Sequence, residues 1–495
     1  MARGALLVAG LAAALGCAAG PGSYDLVIAN GRVIDPESGL DGVRYLGITD
    51  GSVAAISERP LAGHDTIDAS GLVVSPGFID IHSHSIPTDG QPWQVRDGVT
   101  TALELEEGTS AVADWLARLE GRSLINFGTS AGHIPTRIAV YQNARTLAEA
   151  EEWRGRGEGA TPPAWSHTPS TPERMAEIEK AIEAGIDQGG LGVGFEVNES
   201  PGASREEILM LFRLAQRKGV PVYAHLRFMG VDPIQGSLSG AQEVIANAVA
   251  TGASTHFVHL GSSGTASAKQ IVEMIESVRA RGFDVTGEVY PYTAASTGIQ
   301  TGLFEGDWRA RLGIDYGDIE WPPTGERLTA ASFERFRRQG GAVIIHIMKD
   351  ENVDFLVGRE GVMIASDAMP LPDGRGHPRG VGTFARVLGR YVRERKALDL
   401  TDAIRKMTLL PAERVRTAAP AMANKGRIRV GADADITIFD PETVIDRATF
   451  ETPGQPSAGI PFVIVNGTVV VRNGDLVAGV APGRAITRAK ASTSP

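Results

Sequence analysis

Histidine and acidic side chains stand at the ends of several apolar runs, where they could bind metal. His82 and His84 form an H-x-H in FIDIHSH, His225 ends YAH, His259 ends FVH, and Asp367 ends VMIASD. Residues i and i+2 of a strand share a face, so the first pair can bind one ion together. A buried, unpaired carboxylate is costly, so a metal or general-base role suits Asp367. The alternatives are a packing pair of histidines and a helix N-cap at the aspartate.

A second acidic signal lies in GVTTALELEE, where Glu104 and Glu106 alternate with leucines. If the leucines face outward, both carboxylates point into the same interior. Glu106 is nearer the strand exit, so it is the favoured ligand. Glu104 lies deeper and could pair with Arg227, and Glu107 remains an alternative ligand.

The ligand set combines imidazole and carboxylate groups without cysteine. This chemistry suits Zn²⁺, Mn²⁺ or Co²⁺ in a catalytic site, and the number of ligands allows one or two ions. A metal-bound hydroxide is then the expected nucleophile, and Asp367 the expected general acid/base. His256, three residues before His259, faces away and is interpreted as a packing residue.

The elements that must position these residues alternate between strand and helix over residues 75–424. Such alternation predicts an α/β fold, a (β/α)8 TIM barrel, whose strands end at the catalytic face. A segment from about Gly302 to Gly341 reads as an inserted lid. The apolar runs interpreted as strands include GFIDIHSH, GVTTALELE, SLINFGTSAGH, GLGVGFEV, VPVYAHLR, STHFVHLG, FDVTGEVYPY, AVIIHIM and GVMIASDA.

The flanking segments 23–74 and 425–481 are rich in short β runs and predict one composite β-sandwich domain. Hairpin signals occur at Asn30-Gly31, Asp50-Gly51, Asn466-Gly467 and Asn473-Gly474. Residues 482–495 are small and polar, which predicts a flexible tail.

Composition narrows the function classes. The 495 residues include 48 Lys+Arg and 59 Asp+Glu, a net charge of −11, which argues against a nucleic-acid partner. A single cysteine excludes a disulfide framework and cysteine-rich metal sites. No dinucleotide or phosphate-loop motif occurs in a suitable context.

Residues 1–22 read as a signal peptide, because one basic residue precedes a short apolar run and a stretch of small residues. Cys17 follows Ala14-Leu15-Gly16 and fits a lipoprotein signal better than plain secretion. We therefore expect a bacterial protein that is exported, either periplasmic or membrane-anchored. Its only membrane contact would be a lipid anchor at Cys17.

The motifs PGFIDIHSH, HLR, VHLG and SDAMP resemble those of the amidohydrolase superfamily. GEVYPYTAAST and HPRGVGTFARVLGRYVRE are closer still to the N-acyl-D-amino-acid deacylases, or D-aminoacylases. The resemblance covers the chain from about Tyr24 to Val480. It implies a metal-dependent hydrolase of linear amides, whose partner is a small N-acyl amino acid.

By that resemblance, His82 and His84 bind one metal, His225 and His259 bind the other, and Asp367 acts as acid/base and ligand. Tyr290, Ser296 and Arg379 would hold the carboxylate or acyl oxygen of the substrate, and His133 would face the substrate or support the site. The implied site residues are therefore catalytic Asp367, metal ligands His82, His84, Glu106, His225, His259 and Asp367, and substrate-binding Tyr290, Ser296, Arg379 and His133.

The chain departs from the family pattern in three places. Characterised D-aminoacylases resemble GVTT…GNCG, with a cysteine ligand after this strand, whereas this chain has ALELEEG. The usual Asp before VYPY is Glu288. No lysine lies on the predicted fourth strand, GLGVGFEV, where Glu196 could point inward. A carboxylated-lysine bridge, as in hydantoinases, is therefore not expected.

Two other functions remain open from the sequence. One is hydrolysis of another small amide, a dipeptide or a cyclic amide, on the same scaffold. The other is a non-catalytic binding protein, against which the complete ligand set argues. The preferred side chain, the acyl group and the oligomeric state do not follow from the sequence.

Overall fold

The computed structural model describes residues 23–87, 89–144, 146, 148–149 and 163–489. The predicted signal segment 1–22, with Cys17, lies outside them. Within these ranges, no helix is both long enough and apolar enough to cross a membrane.

The described chain begins with five strands. They are β1 (Tyr24–Asp35), β2 (Leu40–Thr49), β3 (Ser52–Ser57), β4 (Gly63–Asp68) and β5 (Val73–Pro76). Asp50-Gly51 turns β2 into β3 with φ of 51° and 75°, as a type I′ turn requires. The hairpin predicted at Asn30-Gly31 is wrong, because β1 runs through these residues and Asn30 (φ 62°) lies at a bulge.

Eight parallel strands form the central barrel, which confirms the predicted fold class. Hydrogen bonds close the ring between its first and last strands: Asp367 N donates to His82 O (2.9 Å), and His84 N donates to Ala368 O (2.8 Å). The strands are β6 (Phe78–Asp80), β7 (Val99–Thr109), β8 (Asn126–Gly132), β9 (Val193–Glu196), β10 (Val222–His225), β11 (Thr255–Phe257), β12 (Val285–Val289) and, after an insertion, β17 (Val362–Ile364).

The insertion between β12 and β17 carries its own antiparallel sheet and is wider than predicted. Its strands are β13 (Ala295–Gly298), β14 (Ile319–Trp321), β15 (Glu326–Arg327) and β16 (Ala342–Ile345). The run AVIIHIM, interpreted as a barrel strand, is β16 and pairs with β13 and β14 instead. A short apolar run has the same sequence signature in either sheet, so periodicity could not separate the two.

The chain returns to the first sheet after the barrel through β18 (Ile436–Phe439), β19 (Phe462–Val465), β20 (Thr468–Arg472) and β21 (Asp475–Leu476). β18 pairs antiparallel with β5, and this joins strands from both ends of the chain in one nine-stranded sheet. Apolar residues of both segments, including Leu26, Ile28, Ile436 and Ile464, share one buried cluster. The composite β domain is therefore present.

Helices cover the barrel, and α5 (Pro172–Asp187) shows how the sequence forms them. Thr171 caps its first turn by accepting from Arg174 N, and Ile178, Ile182 and Ile186 are buried at helical spacing. The helices are α1 (Gln91–Arg96), α2 (Val112–Leu119), α3 (His133–Gln142), α4 (Ala164–His167), α5 (Pro172–Asp187), α6 (Arg205–Lys218), α7 (Ser237–Thr251), α8 (Leu260–Gly264), α9 (Ala268–Arg279), α10 (Trp308–Leu312), α11 (Ala330–Gln339), α12 (Asp350–Gly358), α13 (Arg379–Arg386), α14 (Leu400–Met407) and α15 (Leu409–Arg416).

Residues 482–489 differ from the flexible tail expected from Pro482 onward. Phe127 N donates to Arg484 O (3.1 Å), and Ile486 N donates to Phe127 O (2.7 Å), so the segment lies along β8. Ile486 is buried among barrel side chains, Leu103 and Leu191 included. One apolar residue, Ile486, in a polar segment is a weak signal in the sequence. Its burial and the backbone hydrogen bonds nevertheless hold the segment against the barrel.

We predict that Ile486→Ala lowers the free energy of unfolding by about 2–5 kcal/mol, the range for truncating a buried isoleucine. Urea denaturation followed by circular dichroism measures the change. Thr487→Ala, at an exposed neighbour, is the control and should change stability by less than about 0.5 kcal/mol. Equal stability of the Ile486 variant and the wild type would show that this segment does not stabilise the barrel.

Candidate active site

His82 and His84 lie just beyond the end of β6 and turn their imidazoles toward each other. Their Nε2 atoms are 3.1 Å apart. His82 is fully buried, and its Nδ1 donates to Glu288 (2.5 Å), while His84 Nδ1 donates to Glu104 (2.9 Å). Each ring is therefore oriented through Nδ1, which leaves both Nε2 atoms directed at the same point.

His225 and His259 form a second pair at the ends of β10 and β11. His225 Nδ1 lies 3.1 Å from His259 Nε2. The backbone of His259 has φ 29°, an uncommon value for a residue with a side chain. His259 N donates to Glu288 (3.3 Å) and Ser263 contacts His259 Nδ1 (2.9 Å), so local contacts hold this strained residue.

Glu106, on β7, lies between the two histidine pairs. Its Oε2 is 2.8 Å from His82 Nε2 and 3.2 Å from His84 Nε2. Its Oε1 is 2.7 Å from His225 Nδ1 and 2.9 Å from His259 Nε2. One buried carboxylate thus contacts all four imidazoles, one oxygen to each pair.

Glu104 and Glu107 also reach this end of the barrel, but on the outer side of His84. Glu104 contacts His84 Nδ1, and Glu107 Oε2 lies 3.6 Å from the same nitrogen. The pairing of Glu104 with Arg227 is wrong, because Arg227 bonds Glu243 (2.8 Å) and the carbonyl of Ala203. Glu104 thus orients a histidine, whereas Glu106 lies between the pairs.

Asp367 follows β17 and completes the group around His82 and His84. Its Oδ1 is 3.5 Å from each Nε2 and accepts from Arg379 Nη2 at 2.7 Å. Its φ of 53° is also unusual for a residue with a side chain. Strain at Asp367 and His259, both at strand exits, is the kind of feature that clusters at functional sites.

The charges of the site are strongly coupled. Burial opposes ionisation of Glu106, but His82, His259 and His225 together hold its pKa well below the usual range. Burial likewise disfavours a charged His82, and the carboxylates around it raise its pKa well above the usual value. Burial would also raise the pKa of Asp367, but Arg379 and His82 lower it. The carboxylates of Glu106 and Asp367 are therefore ionised.

The ligand atoms fit a metal at two positions. Five of the six distances among His82 Nε2, His84 Nε2, Glu106 Oε2 and Asp367 Oδ1 are 2.8–3.5 Å, and the ligand atoms of these four residues all lie within 4.8 Å of one another. A tetrahedral zinc with ligands at about 2.0–2.1 Å needs corners about 3.3 Å apart. Glu106 Oε1, His225 and His259 supply three atoms at the second position. Three protein ligands and an open position are typical of catalytic zinc.

Glu288 and His256 play a larger part than the sequence analysis assigned to them. Glu288 contacts His82 and also bonds His256 Nε2 (3.0 Å), whose Nδ1 contacts Thr286 (2.7 Å). Burial would raise the pKa of Glu288, but His82 and His256 lower it to about 2. The interpretation of His256 as a packing residue missed this series of hydrogen bonds. The available signal in the sequence was Glu288 in the strand GEV.

Asp80 is a second residue that the sequence analysis missed. It lies at the end of β6, fully buried, and Ser366 donates to it from both Oγ and the backbone N. Burial raises the pKa of Asp80 to about 6. Its position two residues before His82 was the available signal. It ties the exit of β6 to the residue preceding Asp367.

A cavity of about 390 Å³ opens on the ligand atoms. His84, Glu106, His225, His259 and Asp367 line it, together with two residues predicted to bind substrate, Ser296 and Arg379. Tyr290, also predicted to bind substrate, is not among the lining residues: it is 2% exposed, its ring centroid lies 4.7 Å from the Arg379 guanidinium, and its hydroxyl has no hydrogen-bond partner. The Nε of Arg379 also has none.

The structure does not place His133 at the substrate or at the metal ligands, as the sequence analysis expected. It begins α3 and is fully buried, and its Nε2 bonds Glu207 (2.7 Å), which also pairs with Arg137. Its side chain does not reach the cavity. The glycine-histidine stretch after the third strand therefore supports packing between α3 and α6, because the buried carboxylate needs a donor there.

Comparison with protein-family models finds a match to the family described as "Amidohydrolase family" over residues 65–137 and 150–471. N-acyl-D-glutamate deacylase of Alcaligenes xylosoxydans xylosoxydans is 32% identical, over 90% of this chain and 93% of that protein.

Solved structures agree with this match. The crystal structure of N-acyl-D-glutamate deacylase from Bordetella bronchiseptica, complexed with zinc and a phosphonate mimic of the tetrahedral intermediate, has a TM-score of 0.78 and 26% identity. A structure of D-aminoacylase, which has a binuclear metal center, has a TM-score of 0.78 and 25% identity. Each comparison covers 94% of this chain and 100% of the solved one.

We predict that Glu106→Gln removes more metal than Glu104→Gln, because Glu106 contacts both histidine pairs and Glu104 contacts one ring from behind. Metal per chain, measured by plasma mass spectrometry after gel filtration in zinc-free buffer, should fall at both positions in the first variant. Circular dichroism checks the fold of each protein. Greater metal loss in the Glu104 variant would show that Glu104, and not Glu106, is the carboxylate shared between the two ligand groups.

Proposed function

The chain belongs to the amidohydrolase family, and from this premise we propose that it hydrolyses the amide bond of N-acyl-D-amino acids with zinc as its metal. The observation that carries the proposal is Glu106, shared between two ligand groups at the end of a cavity that also holds the Asp367–Arg379 pair. The deacylase relatives support the substrate class and its handedness.

Zinc at the ligand atoms would polarise the scissile carbonyl and favour ionisation of an attacking water. The neighbouring carboxylate of Asp367 is the base available to take a proton from that water. It is held ionised by Arg379 and faces the cavity. The same carboxyl can then return the proton to the leaving nitrogen, since it lies with His82, His84 and Glu106 and lines the cavity.

Arg379 has two tasks in this proposal. It was expected to fork onto the substrate carboxylate, but Nη2 already donates to Asp367. The Nε, buried and without a partner, remains available for a substrate oxygen. One guanidinium can thus orient the general base and contact the substrate at the same time, which makes binding and proton transfer depend on each other.

Tyr290 lies against Arg379, which lines the cavity, and we propose that its hydroxyl donates to the substrate. Burial raises the pKa of its hydroxyl, so it stays protonated and can act as a donor at neutral pH. An unpartnered buried hydroxyl costs stability unless a ligand satisfies it. Together with Arg379 and Ser296, this donor would hold the carboxylate and the acyl oxygen and fix which enantiomer fits.

We also propose export, with a lipid anchor at Cys17 as the route to the membrane. The support is the sequence of residues 1–22: one basic residue, a short apolar run, small residues and the single cysteine. Labelling with radioactive palmitate and fractionation of the producing cells tests it, and a Cys17→Ser variant should lose the label.

The function is tested by a substrate screen with zinc-, manganese- and cobalt-loaded enzyme. N-acetyl and N-formyl D-amino acids are compared with their L enantiomers, with dipeptides and with cyclic amides. We expect release of the free amino acid from D substrates. A clear preference for L substrates or for cyclic amides would contradict the deacylase assignment and leave the metal site unaffected.

We predict that Asp367→Asn keeps its zinc and loses about 10²–10⁴-fold in kcat, the usual cost of removing a general acid–base. Asparagine retains an oxygen but cannot take up a proton. Stopped assays with the best D substrate and metal analysis of the same sample give both quantities. Asp373→Asn, at an exposed position on the same loop, is the matched control. A near-normal kcat in the Asp367 variant would remove the aspartate from the proposed chemistry.

A further inference from the structure

His377 is a buried histidine to which the proposed chemistry gives no role. It precedes Pro378 and the first residue of α13, Arg379, and it is 1% exposed. It is not one of the residues that line the cavity, so any effect on a substrate must pass through its neighbours. Buried polar side chains are usually hydrogen-bonded, and the partners of this imidazole show what it does.

The two ring nitrogens of His377 have opposite roles. Nδ1 accepts from the backbone N of Arg379 (3.1 Å), so it carries no proton. Nε2 lies 2.8 Å from the carbonyl oxygen of Ala294, which can only accept, so Nε2 carries the proton. The two contacts therefore define a neutral ring and select one tautomer. Burial and the Arg379 guanidinium lower the pKa of His377 well below its usual value, which keeps the ring neutral.

The contact with Arg379 satisfies the beginning of a helix. The first backbone N–H groups of a helix have no partner within the helix. Arg379 N is the first of these groups in α13, and His377 Nδ1 supplies its acceptor. The contact fixes the start of α13, and with it the residue whose guanidinium donates to Asp367.

The contact with Ala294 reaches the other substrate segment. Ala294 directly precedes β13, and Ser296 lies on that strand. The His377 ring also packs against Tyr290, with ring centroids 6.1 Å apart and planes at 70°, and against Phe450 at 5.1 Å and 78°. Aromatic rings prefer such edge-to-face contacts. The histidine therefore contacts every chain segment that carries a side chain expected to hold the substrate.

We propose that His377 is a positioning residue, which holds the segment of Tyr290 and Ser296 in register with Arg379 through its two hydrogen bonds. The inference rests on the proposed function, in which these three side chains hold the substrate. A shift of about 1 Å of one segment against the other would misplace the groups that must contact one small molecule together. The histidine thus contributes to substrate binding without touching the substrate.

Asparagine and glutamine each keep one half of the imidazole. In His377→Asn, the side-chain oxygen takes the place of Nδ1 and can accept from Arg379 N, while the bond to Ala294 is lost. In His377→Gln, the side-chain nitrogen takes the place of Nε2 and can donate to Ala294 O, while the bond to Arg379 is lost. His64→Asn and His64→Gln, at an exposed position on β4, are the matched controls.

Steady-state kinetics of the zinc-loaded full chain, with the N-acetyl-D-amino acid that it hydrolyses fastest, separates the two bonds. We expect KM to be about threefold to tenfold higher in both His377 variants, the effect of one lost hydrogen bond. The value of kcat should fall only in His377→Gln, because this variant also releases Arg379, which orients Asp367. Metal per chain should stay at the wild-type value in both variants.

Hydrogen–deuterium exchange tests the contact with Arg379 without any turnover. The Arg379 amide, located by electron-transfer fragmentation and mass spectrometry, should be protected in the wild type and in His377→Asn. It should exchange about tenfold faster, or more, in His377→Gln. Rapid exchange of this amide in the wild type would overturn the inference, and that measurement needs no variant to fold.

Unchanged KM in both His377 variants of an active enzyme would overturn the inference and leave the deacylase proposal standing. A fall of kcat in His377→Asn alone would contradict the assignment of the two bonds and overturn the inference as well. No turnover of any N-acyl-D-amino acid by the wild type would overturn the proposed function and, with it, the part of His377 in substrate binding. The two failures are therefore distinguishable.

Discussion

The buried carboxylate of Glu106 is the constraint around which this molecule is arranged. A charge in the interior of a barrel is costly unless other charges surround it. Here four imidazoles do so, from the exits of β6, β10 and β11. No one of these strands can shift without leaving part of that charge unpaired. The same contacts therefore fix both the metal-ligand geometry and the register of the strands at the barrel's catalytic end.

The surrounding contacts serve to hold the histidines in the required orientation. Glu288 binds His82 from behind and is itself held by His256, while Glu104 does the same for His84. Carboxylates behind metal-binding histidines fix the ring and its tautomer and increase the basicity of the facing nitrogen. Asp80 fastens β6 to the residue before Asp367. The strained backbone at Asp367 is tolerated because these contacts determine it from several sides.

Much of the cavity wall comes from parts of the chain outside the barrel strands. The candidate metal ligands lie at the ends of barrel strands, whereas many of the other lining residues belong to the insertion between β12 and β17, and Trp165 belongs to α4. Loops on a barrel tolerate replacement better than strand exits do, so this part of the wall can change while the candidate ligands stay in place.

The sequence by itself predicted the barrel, the composite β domain and the candidate ligand histidines, because strand periodicity and the position of polar residues at strand exits are local properties. It favoured Glu106 over its neighbours for the same reason. Only the tertiary structure showed that AVIIHIM pairs with β13 outside the barrel, that His133 bonds Glu207, and that Arg379 donates to Asp367. Each depends on a partner more than ten residues away, so no local pattern reports it. Contacts of this kind are selected by the burial of charge and by packing across the whole chain.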